Sequence, residues 1–188
     1  MQDFVQIIKT KSLVIMGGHS VEREMAVTRV KSGWRGTGKC GVFQLADHIK
    51  DSDRFIRSVV KTFPVTSPLK GVTKEQMGWD QVNDYFLEWP HELKYNSVLI
   101  VIPECHSLYK NDPEYFQSVM QHFFTYANWL QWTNRCDLKI MVTLEEKIDR
   151  KCILDDNGYN YSRLPVYFKP SPGRKSLKFD ELIRVIEK

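Results

Sequence analysis

The sequence predicts an α/β fold, a mostly parallel β-sheet flanked by helices, and three observations lead there. Short apolar runs alternate along the chain with longer stretches whose apolar residues recur at three- and four-residue steps, the pattern of buried parallel strands alternating with amphipathic helices. Most of these runs end at glycine, proline or a good capping residue, so the boundaries carry turn chemistry of their own. With 188 residues, 42% of them hydrophobic, the chain buries enough apolar surface for a core that folds unaided.

In chain order, residues 12–16 form a buried strand that runs straight into Gly17 and Gly18. Ser20 then caps a helix over residues 21–31, with Val21, Met25, Ala26 and Val30 at helical spacing and Gly33 and Gly36 as its stop. Residues 42–45 are a second strand, and residues 54–61 and 73–87 read as helices on either side of a turn containing Pro64 and Pro68. Residues 97–102 are a strand closed by Pro103. Asp112 and Pro113 supply the N-cap and first-turn residue of a long helix, whose Phe116, Val119, Met120, Phe123 and Phe124 share one face. Residues 138–142 are another strand, and Thr143 with Glu146 reads as a capping box for a helix reaching Leu154. Residues 164–169 are a strand, 170–175 a loop and 179–187 a last helix. The expected division is a domain over residues 1–135 and a small α+β lobe over residues 136–188.

Composition excludes several classes. No apolar run approaches the roughly 20 residues a membrane helix needs, and the start Met1-Gln2-Asp3-Phe4 lacks the basic region of a signal peptide. The expectation is a soluble, cytoplasmic protein with no membrane partner. The net charge of +4 comes from 27 basic and 23 acidic residues spread along the chain, so no charge block points to nucleic acid. Cys40, Cys105, Cys136 and Cys152 are far apart with no CxxC pair, which reads as free thiols rather than a zinc site.

Ligands of open parallel sheets bind beyond the carboxyl ends of the strands. Three loops leave strands that way: Gly17-Gly18-His19-Ser20, Pro103-Glu104-Cys105-His106 and Pro170-Ser171-Pro172-Gly173. A separate candidate, Gly33-Trp34-Arg35-Gly36-Thr37-Gly38-Lys39-Cys40, fits GxxxxGK. It has cysteine where a P-loop has its magnesium-binding hydroxyl, and a helix rather than a strand before it. A P-loop there would make the chain an NTPase with Lys39 on the nucleotide, a further alternative function; its plain reading is a helix end and a turn.

The octapeptide Gly17-Gly18-His19-Ser20-Val21-Glu22-Arg23-Glu24, between a hydrophobic strand and Ser32-Gly33, resembles the N-terminal signature of the D-alanine–D-alanine ligases, a branch of the ATP-grasp superfamily. Similarities follow in the family's order at residues 94–106 with Asp112 and Gln117, at residues 146–158, and at residues 164–171. The resemblance implies a pre-ATP-grasp, Rossmann-like N-terminal domain followed by the start of an ATP-grasp central domain. It implies carboxylate–amine ligation through an acyl phosphate in peptidoglycan precursor synthesis, with D-alanine and ATP as ligands, Mg2+ as cofactor and a homodimer as the compatible assembly. Glu22 would face the ammonium of the first D-alanine, a cation a carboxylate pairs with and orients, and His106 would sit over the substrate. Lys147 and Lys169 would contact ATP phosphates, and Ser171 and Gly173 would begin the loop that covers them.

Each residue also has a structural reading. Glu22 suits the first turn of any helix, His106 a loop, Lys147 a helix surface and Lys169 a strand end. Two departures from the family pattern stand out. The loop after His106 lacks glycine, and Gly173-Arg174-Lys175-Ser176 is basic. The half that should bind adenine and magnesium is expected beyond Lys188, so the chain by itself is expected to have weak or no ligase activity. The alternative is a non-catalytic interaction module, because Phe123, Phe124, Tyr126, Trp129, Leu130 and Trp132 are too many apolar residues for one helix face.

Overall fold

The computed structural model describes residues 4–34, 38–63, 95–133, 136–149, 152–153 and 166–169, with the backbone alone for residues 128–129, 131–132 and 166–169. In chain order the elements are α1 (Phe4–Ile8), β1 (Leu13–Gly17), α2 (Ser20–Gly33), β2 (Cys40–Gln44) and α3 (Ser52–Thr62), followed by β3 (Ser97–Ile102), α4 (His106–Asn111), α5 (Pro113–Trp132), β4 (Asp137–Leu144) and β5 (Val166–Lys169). The five strands form one sheet in the order β2-β3-β4-β1-β5, and every neighbouring pair is parallel. The expected α/β class, a parallel sheet flanked by helices, is what the chain adopts.

The sequence of the central strands follows from their position. β1 and β3 are buried along their whole length and β4 at every residue but its first, because helices cover both faces, and such strands are apolar throughout rather than alternating. Each strand divides its side chains between the two faces. Val14, Met16, Val98, Ile100, Ile102, Ile140 and Val142 pack with Phe55 and Val59 of α3, Leu108 of α4, and Phe116, Val119, Met120 and Phe123 of α5. Leu13, Ile15, Leu99, Val101 and Met141 pack on the other side with Ile8 of α1, Val27 and Val30 of α2, and Trp34 just beyond that helix. The result is a three-layer sandwich, with β2 and β5 as edge strands.

Helix starts follow the side chains that cap them. Asp51 Oδ1 accepts from the Arg54 amide at 2.8 Å and opens α3; Asp112 Oδ1 accepts from the Tyr115 amide at 3.1 Å and opens α5, as the Asp-Pro pair predicts. At α2 the cap falls one residue earlier than expected, on His19, because the Glu22 carboxylate reaches back to accept from the His19 amide at 3.0 Å.

The helix expected from Thr143 to Leu154 does not form over residues 143–149, the continuous part of that range the structure describes. β4 continues through Leu144, and residues 145–149 are bends and irregular chain. Thr143 is fully buried with its hydroxyl in use elsewhere, and Leu144 fills the core, so packing overrides the local capping pattern. The short helices α1 and α4 had no clear periodic signal. The expected helices at 73–87 and 179–187 and the loop at 170–175 lie outside the described residues. Of the α5 residues read as an interface, Phe123, Phe124, Tyr126 and Leu130 are buried in the core; the side chains of Trp129 and Trp132 lie outside what the structure describes. The interaction module read from these residues therefore has no support, because packing of this 20-residue helix against the sheet accounts for the described members of the set.

Candidate functional site

The sheet has one place where connections depart in opposite directions. From β1 the chain runs to β2 at one edge, and from β4 it runs to β5 at the other. The crevice at the carboxyl ends of β1 and β4 is the switch point where open α/β sheets bind ligands. Gly17 and Gly18 end β1 there with φ of 72° and 73°, a left-handed backbone that glycine enters without strain. Only Gly18 and His19 separate the strand from Ser20, the first residue of α2.

An internal ion pair lies at the crevice. Arg23 lies one turn into α2 and is 4% exposed. Its guanidinium grips Glu104 bidentately, Nε to Oε1 and Nη2 to Oε2, both at 2.6 Å. Its remaining nitrogen, Nη1, donates to the carbonyls of Gly17 at 3.0 Å and Gly18 at 2.7 Å. The fork geometry of arginine is what permits two carboxylate bonds and two carbonyl bonds at once. Glu104 stands just past β3, held with φ of 48°. The Thr143 hydroxyl, on β4, accepts from the Glu104 amide at 2.9 Å and donates to Glu104 Oε1 at 3.1 Å. One network thus ties together the ends of β1, β3 and β4.

Burial by itself would raise the Glu104 carboxyl, but the Arg23 hydrogen bonds and charge, with help from Thr143 and His48, hold it below its ordinary value. On the far side of α4's start, His106 is buried and both ring nitrogens lack a hydrogen-bond partner among the described residues. Glu146 Oε2 lies 3.4 Å from Nε2, and the Tyr109 ring is 5.9 Å away between centroids. Desolvation, then the charge of Lys110, pushes the imidazole below its ordinary value, against the pull of Glu146.

Both shifts set a pH dependence of the same sign. A buried neutral histidine costs stability once the unfolded chain takes up a proton, so stability falls as pH drops below the ordinary value of 6.5. The Glu104 contribution is complete above the ordinary carboxylate value of 4.5 and is lost as pH falls through its lowered value. Urea midpoints measured from pH 7.5 down to about pH 2 therefore decline in two stages. His106→Gln flattens the upper stage, leaving the share of His122, whose pKa burial also lowers; an unchanged upper slope would contradict the assignment.

The residues expected to act come from four separate segments of the chain. Glu22 is half-buried in the first turn of α2 with its carboxylate on the His19 amide. His106 faces Glu146 and Tyr109, and Lys147 is exposed on the chain after β4. Lys169 ends β5 in register with Gly17; Ser171 and Gly173 lie outside the described residues. Arg23, Glu104 and Thr143 form the network at the crevice and were not singled out from sequence as a set. The GxxxxGK match is not a P-loop: Gly33 ends α2, and Cys40 begins β2 at the opposite end of the parallel sheet from the crevice. There Asn96 Oδ1 accepts from the Lys39 amide at 2.9 Å, and the Lys39 ammonium sits 4.5 Å from the centroid of the Tyr95 ring.

No family model matches the sequence, and no curated protein is significantly similar to it. Solved structures are. Cdc6p from Pyrobaculum aerophilum superposes with a TM-score of 0.54 over 82% of this chain and 41% of that one, at 8% identity. The fold is shared with Cdc6p. A Walker-type ATPase of Pyrococcus abyssi matches with a TM-score of 0.46 over 77% of this chain and 43% of that one, at 12% identity. The chain spans about two fifths of the solved chains it matches. The Cdc6p-like fold overturns the D-alanine–D-alanine ligase reading, and with it the ATP-grasp architecture, the D-alanine substrate and the peptidoglycan role. A hydrophobic strand, a glycine pair and a helix are shared by many α/β folds, and that is all the octapeptide signified. Among the described residues no helix is long and apolar enough to cross a membrane.

Proposed function

We propose that this chain is a domain of the Walker-type ATPase fold that holds a nucleoside triphosphate loosely at the β1–β4 crevice and does not hydrolyse it. The observation that carries this reading is the end of β1 at the crevice: a left-handed glycine pair closing a central strand, with a 14-residue helix starting directly behind it. Helix N-termini attract phosphate through their N–H groups and dipole. Gly18-His19-Ser20 repeats the last three positions of the Gly-Lys-Ser phosphate motif, with histidine in the lysine position.

The same geometry supports weak binding without turnover. A P-loop wraps several residues around the phosphates, whereas here two residues join strand to helix. The Gly17 and Gly18 carbonyls are turned onto Arg23, and the Glu22 and Glu104 carboxylates bring negative charge to the place phosphate would take. Magnesium would have to draw on Glu104, both of whose oxygens are held by Arg23. No group of three or more His, Cys, Asp or Glu able to hold a metal occurs among the described residues. The residues do not fit the ion, and phosphoryl transfer depends on such metal-held charge.

Titration with a fluorescent ATP analogue, alongside a phosphate-release assay, tests the proposal. The wild type is expected to bind with a dissociation constant in the millimolar range and to release no phosphate above background. Ser20→Asp, which suits a helix start but repels phosphate, weakens binding about tenfold. Steady phosphate release, or equal binding by wild type and Ser20→Asp, overturns the reading.

A further inference from the structure

A second concave surface lies at the carboxyl end of the edge strand β2, away from the ion pair. It is an open groove of about 870 Å³ between the last turn of α2, the β2–α3 turn and one side of α3. That volume is within the range of small-ligand sites, roughly 300–1,000 Å³. Leu45 and Ile49 in its lining are buried, while Arg54, Arg57 and Lys61 are exposed on α3. These three occupy positions i, i+3 and i+7 of one helical stripe, opposite the stripe of Phe55 and Val59 that enters the core.

The charge there is weakly compensated. Like charges at such spacing on one helix face repel and destabilise the helix. Arg54 has a 3.4 Å contact with Asp51, both side chains being exposed, and such surface pairs contribute little. Arg57 and Lys61 have no ion-pair partner among the described residues. Across the groove, the Lys31 ammonium donates to the neutral Gln44 carboxamide oxygen at 2.6 Å rather than to an acid. Four permanent cations from two helices therefore converge on one depression, with His48 beside them; Asp47 is the acid in its lining.

We infer that this groove binds a small oligophosphate-bearing molecule, with Lys31, Arg54, Arg57 and Lys61 neutralising its phosphates. A compact ligand fits better than a nucleic-acid backbone. The cations face one concavity, and α3, at 11 residues, is only about 16 Å long. The site is independent of the crevice nucleotide and stands or falls separately from it.

The test uses inorganic triphosphate, free of magnesium, in calorimetry at low ionic strength. It is run on the Ser20→Asp protein so that the crevice does not contribute. Binding is expected there, and Arg57→Ala/Lys61→Ala weakens it tenfold or more with an unchanged melting temperature. Lys31→Gln, on the other helix, weakens it in the same direction. The inference is overturned if triphosphate fails to bind, if the groove variants bind it equally well, or if a 20-base-pair DNA duplex binds more tightly than triphosphate and displaces it.

Discussion

Arg23→Met lowers the stability of the folded chain by about 3–5 kcal/mol, because removing one member of a buried, hydrogen-bonded ion pair strands the other. The Glu104 side chain, 13% exposed, would remain charged beside the Thr143 hydroxyl with no cation to offset its desolvation, and the Gly17 and Gly18 carbonyls would lose their shared donor. Arg23→Met combined with Glu104→Leu should recover much of that loss, since a neutral packed pair carries no stranded charge. Equilibrium urea unfolding of the two singles and the double, closed as a cycle, reads the coupling. A coupling below about 0.5 kcal/mol would mean that the pair is not the tie it resembles.

Phe55→Ala has an effect of similar size for a different reason. Phe55 is fully buried on α3, with the Tyr115 and Phe123 rings of α5 edge-on to it, each at 6.1 Å between centroids. Truncation removes the apolar transfer energy and leaves a cavity that two helices and a sheet cannot collapse to fill, a loss of about 3–5 kcal/mol. Edge-to-face contacts add to that loss. Chemical denaturation should show a lower midpoint with a preserved denaturant slope. Phe55→Leu, which keeps most of the volume, should recover more than half; an alanine variant within 1 kcal/mol of wild type would be incompatible with this packing.

How much was legible in the sequence depends on whether the deciding contact was local. β3 was read at residues 97–102, its observed bounds, because an unbroken apolar run ended by Pro103 has few other solutions. α5 starts where Asp112 and Pro113 place it, since a cap is a contact three residues long. The capping pattern at Thr143 was equally local and failed, because a pairing partner elsewhere in the chain kept that residue in a strand. The ion pair was invisible for the same reason: Arg23 and Glu104 are 81 residues apart, and nothing in a single sequence says which of 27 basic and 23 acidic residues meet. An arginine in the second turn of a helix and an acid directly after an apolar strand and proline were the available hints, and they become a site only once the strand order is known.

That strand order also bears on how the molecule is made. β1 leaves the ribosome well over a hundred residues ahead of both of its neighbours in the sheet, β4 and β5. At roughly 5–20 residues per second, five apolar residues wait for many seconds with no sheet to join. During synthesis they are a natural hold for a chaperone, and the ordering of the whole sheet is gated by the arrival of its latest-made strands.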